Sequence, residues 1–283
     1  MHTLRKIKFY FFVIIMSSYG LSYANTVHTN QYSLNFQLKT PINIKLTEQE
    51  MSFYKYLLID DYISAINGAK SIIPKAYTSV NPEIIHKEYE KNEAAGDLKY
   101  KDKEVVLKGK IKTISRSIGD NYYIEFYSGK NVFTNTKAIM KSGNQEYLAT
   151  LNKGNSVTLH CIGNGLTLGS PIFAECQPIE RIAMSETNEN IKKLPKMEEI
   201  TQKKYLLSSI FLKIALSQYK KDINCNHYSD EINTVKECIN EIKKIFENWI
   251  KIKKSYSKEK FYSILKEYNI EKDEYKKIKE SMK

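Results

Sequence analysis

The sequence predicts an α+β protein: a five-stranded β-barrel in the middle of the chain, a helical segment before it and a C-terminal helical bundle after it. Three observations predict this. Between Lys101 and Ile179 apolar side chains recur at every second position, the period of a half-buried strand. Beyond residue 186 the spacing lengthens to three and four, the period of an amphipathic helix. Two helix-start signatures, at Thr47 and Asn81, stand ahead of the alternating region.

The elements follow in order. Residues 25–46 alternate weakly through Tyr32, Leu34, Phe36 and Leu38, then Ile42, Ile44 and Leu46, with Pro41 breaking the run. Thr47 and Glu50 have capping-box spacing, so a helix is expected through Phe53, Tyr54, Leu57 and Leu58 toward Ile66. Asn81-Pro82-Glu83 combines a cap, a first-turn proline and an acid at the positive helix end. The helix it starts is expected to continue through Ile84, Ile85 and Tyr89 into residues 92–95. Val105, Leu107, Gly109 and Ile111 then alternate with Val106, Lys108, Lys110 and Lys112. After the Gly119-Asp120-Asn121 turn, Tyr122, Ile124 and Phe126 alternate with Tyr123, Glu125 and Tyr127. A third strand is expected within Val132 to Ile139, and a short helix over Gln145 to Leu151. Val157, Leu159 and Cys161, and then Ile172, Ala174 and Cys176, mark two closing strands across a glycine-bearing turn. Three strands, a short helix and two strands is the order of an OB barrel, whose helix plugs the barrel between strands three and four.

The C-terminal part carries an apolar stripe at Leu206, Leu207, Ile210, Phe211 and Ile214. Ile232, Val235, Ile239, Ile242, Phe246 and Trp249 form a heptad-like seam after a turn at 224–229. Phe261, Ile264, Leu265 and Tyr268 start a third helix, and Tyr275 and Ile278 mark a shorter one. The organisation expected is therefore a leader at 1–24, a mixed segment at 25–80, a barrel domain with its lead-in helix at 81–182, and a helical domain at 190–283.

The leader reads as a cleavable secretory signal. Arg5, Lys6 and Lys8 precede the apolar run Phe9 to Met16, and Ser22-Tyr23-Ala24 places small residues where a signal peptidase reads, with cleavage after Ala24. The run is shorter than the roughly 20 residues of a spanning helix. No later stretch is apolar enough to span, so no transmembrane anchor is expected after cleavage, and the location expected is periplasmic or secreted. The chain carries a formal charge of +12. Three positive charges and no acid lie in the leader, leaving +9. From residue 186 onward 22 lysines face 16 acids, against 12 basic and 10 acidic groups over residues 90–180. The excess alternates in sign, the pattern of a solvated surface.

All four cysteines, Cys161, Cys176, Cys225 and Cys238, follow the leader. An even count in an oxidising compartment predicts disulfides. The sequential pairing keeps each bridge within one predicted domain. Cys225, His227 and Cys238 match no standard zinc spacing, and no metal or cofactor is expected.

Residues 89–179 resemble the exported bacterial OB-fold family named tRNA_anti-like. The matching words are Tyr89-Glu90-Lys91-Asn92-Glu93-Ala94-Ala95, Lys99-Tyr100-Lys101, Val105 to Gly109, Leu148 to Gly154, Val157 to Gly163 and a closing Cys176. The family commonly has a helix entering the first strand and a cysteine on each of the last two strands, and both features are present. The resemblance implies the fold and leaves the activity open.

OB barrels often bind across strands two and three and the flanking loops. Tyr122, Tyr123, Phe126, Tyr127 and Phe133 supply aromatics, and Lys108, Lys110, Lys112 and Arg116 a basic stripe. The alternation turns Tyr123 and Tyr127 outward, together with Lys108, Lys110 and Lys112. Those five are the candidate ligand-binding residues. No G-x-S-x-G elbow, H-E-x-x-H pair or phosphate-binding glycine loop occurs. None of His28, His86, His160 and His227 has a motif partner, so no enzyme is expected. The reading is a non-catalytic binding or assembly module whose partner is another envelope protein. Its helical bundle would offer the surface if the apolar stripe exceeds what the bundle's own core consumes. The alternative is a binder of single-stranded nucleic acid or acidic polysaccharide through the barrel face.

Overall fold

The computed structural model describes residues 31–69, 71–72, 77, 79–116, 121–128, 134–219, 225, 227–252 and 258–281. The predicted signal, His28, the turn residues Gly119 and Asp120, and Phe133 lie outside the described residues.

The weak alternation at the start becomes a hairpin of β1 (Tyr32–Phe36) and β2 (Ile42–Leu46). Leu34, Phe36, Ile44 and Leu46 share its buried face. Helix α1 (Glu48–Ile66) begins on the capping box. Thr47 Oγ1 accepts from Glu50 N at 3.2 Å, and Glu50 Oε2 accepts from Thr47 N at 2.8 Å. Two orphan donors of the first turn are thereby satisfied.

After the two-residue strand β3 (Ser79–Val80), the helix expected as one piece is two: α2 (Pro82–Lys91) and α3 (Glu93–Tyr100). Asn92 makes the break. Its backbone is extended (φ −162°, ψ 105°), it closes α2, and its side chain accepts from Ala95 N to cap α3. An asparagine offers this local alternative to continued helix. Glu88 on α2 takes hydrogen bonds from Lys99 Nζ (2.8 Å) and Tyr100 Oη (2.6 Å) on α3.

The barrel strands are β4 (Glu104–Arg116), β5 (Tyr122–Phe126), β6 (Lys137–Met140), β7 (Ser156–Thr167) and β8 (Ser170–Pro178), with helix α4 (Gln145–Ala149) between β6 and β7. The third strand starts later than the alternation suggested. Thr136 is tied up first, its N–H on Ser128 Oγ and its hydroxyl on Pro82 O. The strands pair in the order β4-β5-β6-β8-β7, and β7 returns to β4 and closes the barrel. The β6–β8 pair is parallel and the other barrel pairs are antiparallel. The interior holds Val105, Leu107, Ile111, Ile124, Phe126, Leu159 and Phe173, plugged by Tyr147 and Leu148 of α4. Cys161 and Cys176 join β7 to β8 as a fully buried disulfide.

Helices α5 (Ile179–Lys193), α6 (Glu199–Gln218), α7 (Ile232–Ile252), α8 (Lys258–Glu267) and α9 (Lys272–Ser281) complete the chain. One hydrophobic core takes in the β1–β2 hairpin, α1 and the C-terminal helices. Helix α6 buries residues around most of its circumference, Tyr205, Leu206, Leu207, Ile210, Leu212 and Ile214 among them. The N-terminal helix α1 packs against α5, α6 and α7. Tyr54 Oη donates to the Tyr205 carbonyl at 2.9 Å. Tyr56 Oη donates to His227 O and accepts from Ser229 N. Val235, Ile239, Ile242 and Ile245 bury the seam of α7, while the side chain of Trp249 is outside the description. A second disulfide, Cys225–Cys238, ties α7 to the segment leading into it. Closing loops of this size contributes about 3 kcal/mol each in the chain-entropy picture. The two cores interlock: Val106, pointing out of the barrel, belongs to the helical core, and Ile232 of α7 to the barrel core.

Candidate functional site

The predicted ligand-binding residues lie on β4 (Lys108, Lys110 and Lys112) and on or just past β5 (Tyr123 and Tyr127). Tyr123 and Tyr127 flank Glu125 on the outward side, as the period of two requires, Tyr127 one residue past the end of β5. Tyr127 is 49% exposed, and its N–H donates to the Lys110 carbonyl at 3.1 Å, which sets the exposed Lys110 beside it. Tyr123 is half-buried, with Lys137 Nζ from β6 standing 5.7 Å from its ring centroid. That is within cation–π range.

The lysine stripe does not survive as a stripe. Lys108, like Lys110, lies on the part of β4 that pairs with β7, Lys108 opposite Thr158 and Lys110 opposite Ser156. The Lys108 ammonium donates to Asn67 Oδ1 at 2.7 Å, at the end of α1. Lys112 falls at a bulge, because the register on β5 slips between Ile111 and Thr113. A bulge re-aims the side chain it carries. Lys112 Nζ consequently sits 3.7 Å from Glu125 Oε1, both groups largely covered. Glu125 also accepts from Thr113 Oγ1 (3.2 Å) and Asn135 Nδ2 (2.9 Å). The centre of the face is thus a satisfied acid flanked by Lys112 and Lys137. The alternation already placed Glu125 between the two tyrosines, but nothing in it announced the bulge that delivers Lys112 to the acid.

Apolar exposure is distributed unevenly. Of the large apolar side chains left exposed among the described residues, Ile84, Leu98, Tyr127, Ile162 and Leu168 belong to the barrel and its lead-in helices, Tyr32 to the β1–β2 hairpin and Ile200 to the C-terminal helices. Leu98 is 83% and Leu168 95% exposed. Leu168 occupies the tip of the β7–β8 hairpin, between the paired Thr167 and Ser170. It is held at φ 50° beside Gly169 at φ 73°. A leucine in the left-handed region is an uncommon, strained residue.

A polar cluster lies on the opposite wall of the barrel, where the helices cover it. His160 on β7 is 7% exposed, and neither ring nitrogen has a hydrogen-bond partner. The Tyr77 ring meets it edge-on at 4.6 Å, and Glu104 Oε2 is 3.7 Å from Nε2. Burial lowers the His160 pKa, against the opposing pull of Glu104. Burial raises that of Tyr62, whose hydroxyl is enclosed without a partner. His86 Nε2 faces Glu90 at 3.2 Å, and His227 Nδ1 faces Glu48 at 3.0 Å. Among the described residues no group of His, Cys, Asp and Glu has the arrangement of a metal site, and no helix is long and apolar enough to cross a membrane.

The tRNA_anti-like family model matches residues 1–177. A solved structure of a lipoprotein from Klebsiella pneumoniae subsp. pneumoniae MGH 78578, described provisionally as nucleic acid-binding, is similar at 18% identity and a TM-score of 0.30, over 35% of this chain and 91% of that chain. No curated protein matches the sequence.

Proposed function

This chain belongs to the tRNA_anti-like family, and we propose that it serves as an exported, non-catalytic binding module that docks another envelope protein through its barrel. The observation that carries the proposal is Leu168. A leucine 95% exposed and held in a left-handed turn costs stability in the free protein. It also stands on the hairpin joining the last two strands, one of the loops that border the binding face of OB barrels. An apolar contact gives such a residue a purpose. The helical bundle is the weaker surface, since its stripes are spent on the core shared with α1 and the β1–β2 hairpin. Two disulfides suit an oxidising compartment and support export.

Tyr127 beside Lys110, and Tyr123 under Lys137, keep the polymer-binding alternative in play, because base stacking needs such platforms. The acid at the centre of the face and the engagement of Lys108 and Lys112 count against a phosphate-tracking groove. The test is a pull-down from the cell envelope at low and high salt, with wild-type protein and Leu168→Asp. A protein retained at high salt by the wild type and lost with Leu168→Asp is the expected result. Nucleic acid or anionic polysaccharide recovered only at low salt, and lost with Lys110→Glu instead, would overturn the proposal in favour of the barrel-face polymer binder.

A further inference from the structure

Away from the barrel face, α4, the first turns of α5 and the segment entering α7 border two open hollows of ≈ 200 Å³ and ≈ 370 Å³. Both are lined by Arg181 and Asp230. Arg181 Nε is shut off from solvent with no acceptor among the described residues. The acid next to it in sequence, Glu180, is turned to Lys236 instead, at 3.3 Å. A guanidinium stays charged at any working pH and makes its strongest contacts with a carboxylate or phosphate, two bonds at a time. Arg181 borders both hollows and forms no ion pair among the described residues, so its guanidinium can receive an anion that enters there.

The surroundings decide which anion. Exposed carboxylates of Glu146 and Asp230 stand on the rim. They oppose a bare phosphate or a polyanion and favour a positive group a short distance from the one Arg181 holds. Met184 and Tyr228 provide an apolar wall in the larger hollow, and the Tyr147 ring lines the smaller one. We propose that this cleft binds a small zwitterion of the amino-acid class, its carboxylate on Arg181, its ammonium toward Asp230 and Glu146, and its side chain along Met184 and Tyr228. The site is separate from the barrel face, so it stands or falls independently of the docking surface.

The test is calorimetric titration of the purified protein with free glycine, alanine, methionine and phenylalanine. N-acetyl-methionine, methionine amide and inorganic phosphate are run beside them. Binding with a Kd of about 1 mM or tighter for at least one free amino acid is expected. Blocking either charged end should weaken it at least about tenfold, because either Arg181 loses its carboxylate or the rim acids lose their ammonium. Arg181→Met should abolish binding and leave the circular dichroism spectrum unchanged. Should that variant misfold, the comparison of free and end-blocked ligands on the wild type still decides. No binding by any free amino acid up to about 10 mM, equal binding of the blocked forms, or preference for phosphate would each overturn the proposal.

Discussion

Replacing Gly163 by alanine probes the joint between the barrel and its lead-in helix. A Cβ at this position would lie 1.9 Å from the Tyr100 carbonyl oxygen, where ordinary contact begins at 3.4 Å. The obstacle is main chain, so no rotamer change relieves it. Strand β7 and the end of α3 would have to part by about 1.5 Å in a close-packed interior. Two hydrogen bonds clamp the same joint: Asp102 N donates to Gly163 O, and Gly163 N to Lys103 O, each at 2.9 Å. Overpacking costs about 1–3 kcal/mol, and each lost bond about 1 kcal/mol net, so the expected loss is about 4 kcal/mol. That is a large share of the roughly 5–15 kcal/mol that holds a typical domain folded. Urea unfolding followed by far-ultraviolet circular dichroism measures it. With a slope of about 2.5 kcal/mol/M the midpoint should fall by about 1.6 M. Gly154→Ala is the reference, since that glycine has φ +85° and no atom within 4 Å of the added carbon. It should cost only the left-handed backbone strain of about 1 kcal/mol. A Gly163→Ala midpoint equal to that of Gly154→Ala would refute the reasoning.

Two further predictions use the same assay. His160 has its pKa lowered by burial, so the folded state resists the proton that the unfolded chain accepts below about pH 6.5. Stability should be independent of this group above that pH and fall as the pH drops from there toward the lowered folded value. The stability of wild type relative to His160→Phe should therefore fall on acidification, and a difference constant from pH 7.5 to 5 would count against the buried, neutral histidine. Lys112→Glu sets a second carboxylate against the covered Glu125 and should cost about 1–3 kcal/mol, whereas Lys110→Glu on the exposed edge should stay within about 0.5 kcal/mol. Equal costs at the two positions would mean that the Lys112–Glu125 pair has no structural weight.

The sequence by itself determined what is local. Thr47 and Glu50 are three residues apart and cap one turn, so their bonds are written in their spacing. Asn81-Pro82-Glu83 is legible for the same reason. The period of two from Val105 onward sorts inward from outward side chains, and the strand order then gives the barrel. Cys161 and Cys176 fall on inward positions of neighbouring strands, and there they pair. Local spacing failed first at Asn92, where a side chain competed with the helix backbone, and next at Lys112, where one extra residue in β4 re-aimed a lysine. Neither event alters the hydrophobic pattern, so no pattern could report it.

Tertiary structure alone decided the rest. Lys108 meets Asn67 because α1 ends beside β4, although 41 residues separate the two. Helix α1 enters the core of the C-terminal helices, where its buried apolar residues meet those of α6 and Tyr54 donates to the Tyr205 carbonyl. The Arg181 cleft exists because α4, α5 and the entry to α7 converge on one place. Apolar periodicity states which face of an element is hidden. Which element hides it, and which polar groups are left without partners when the packing is done, is settled only by the long-range contacts that close the core.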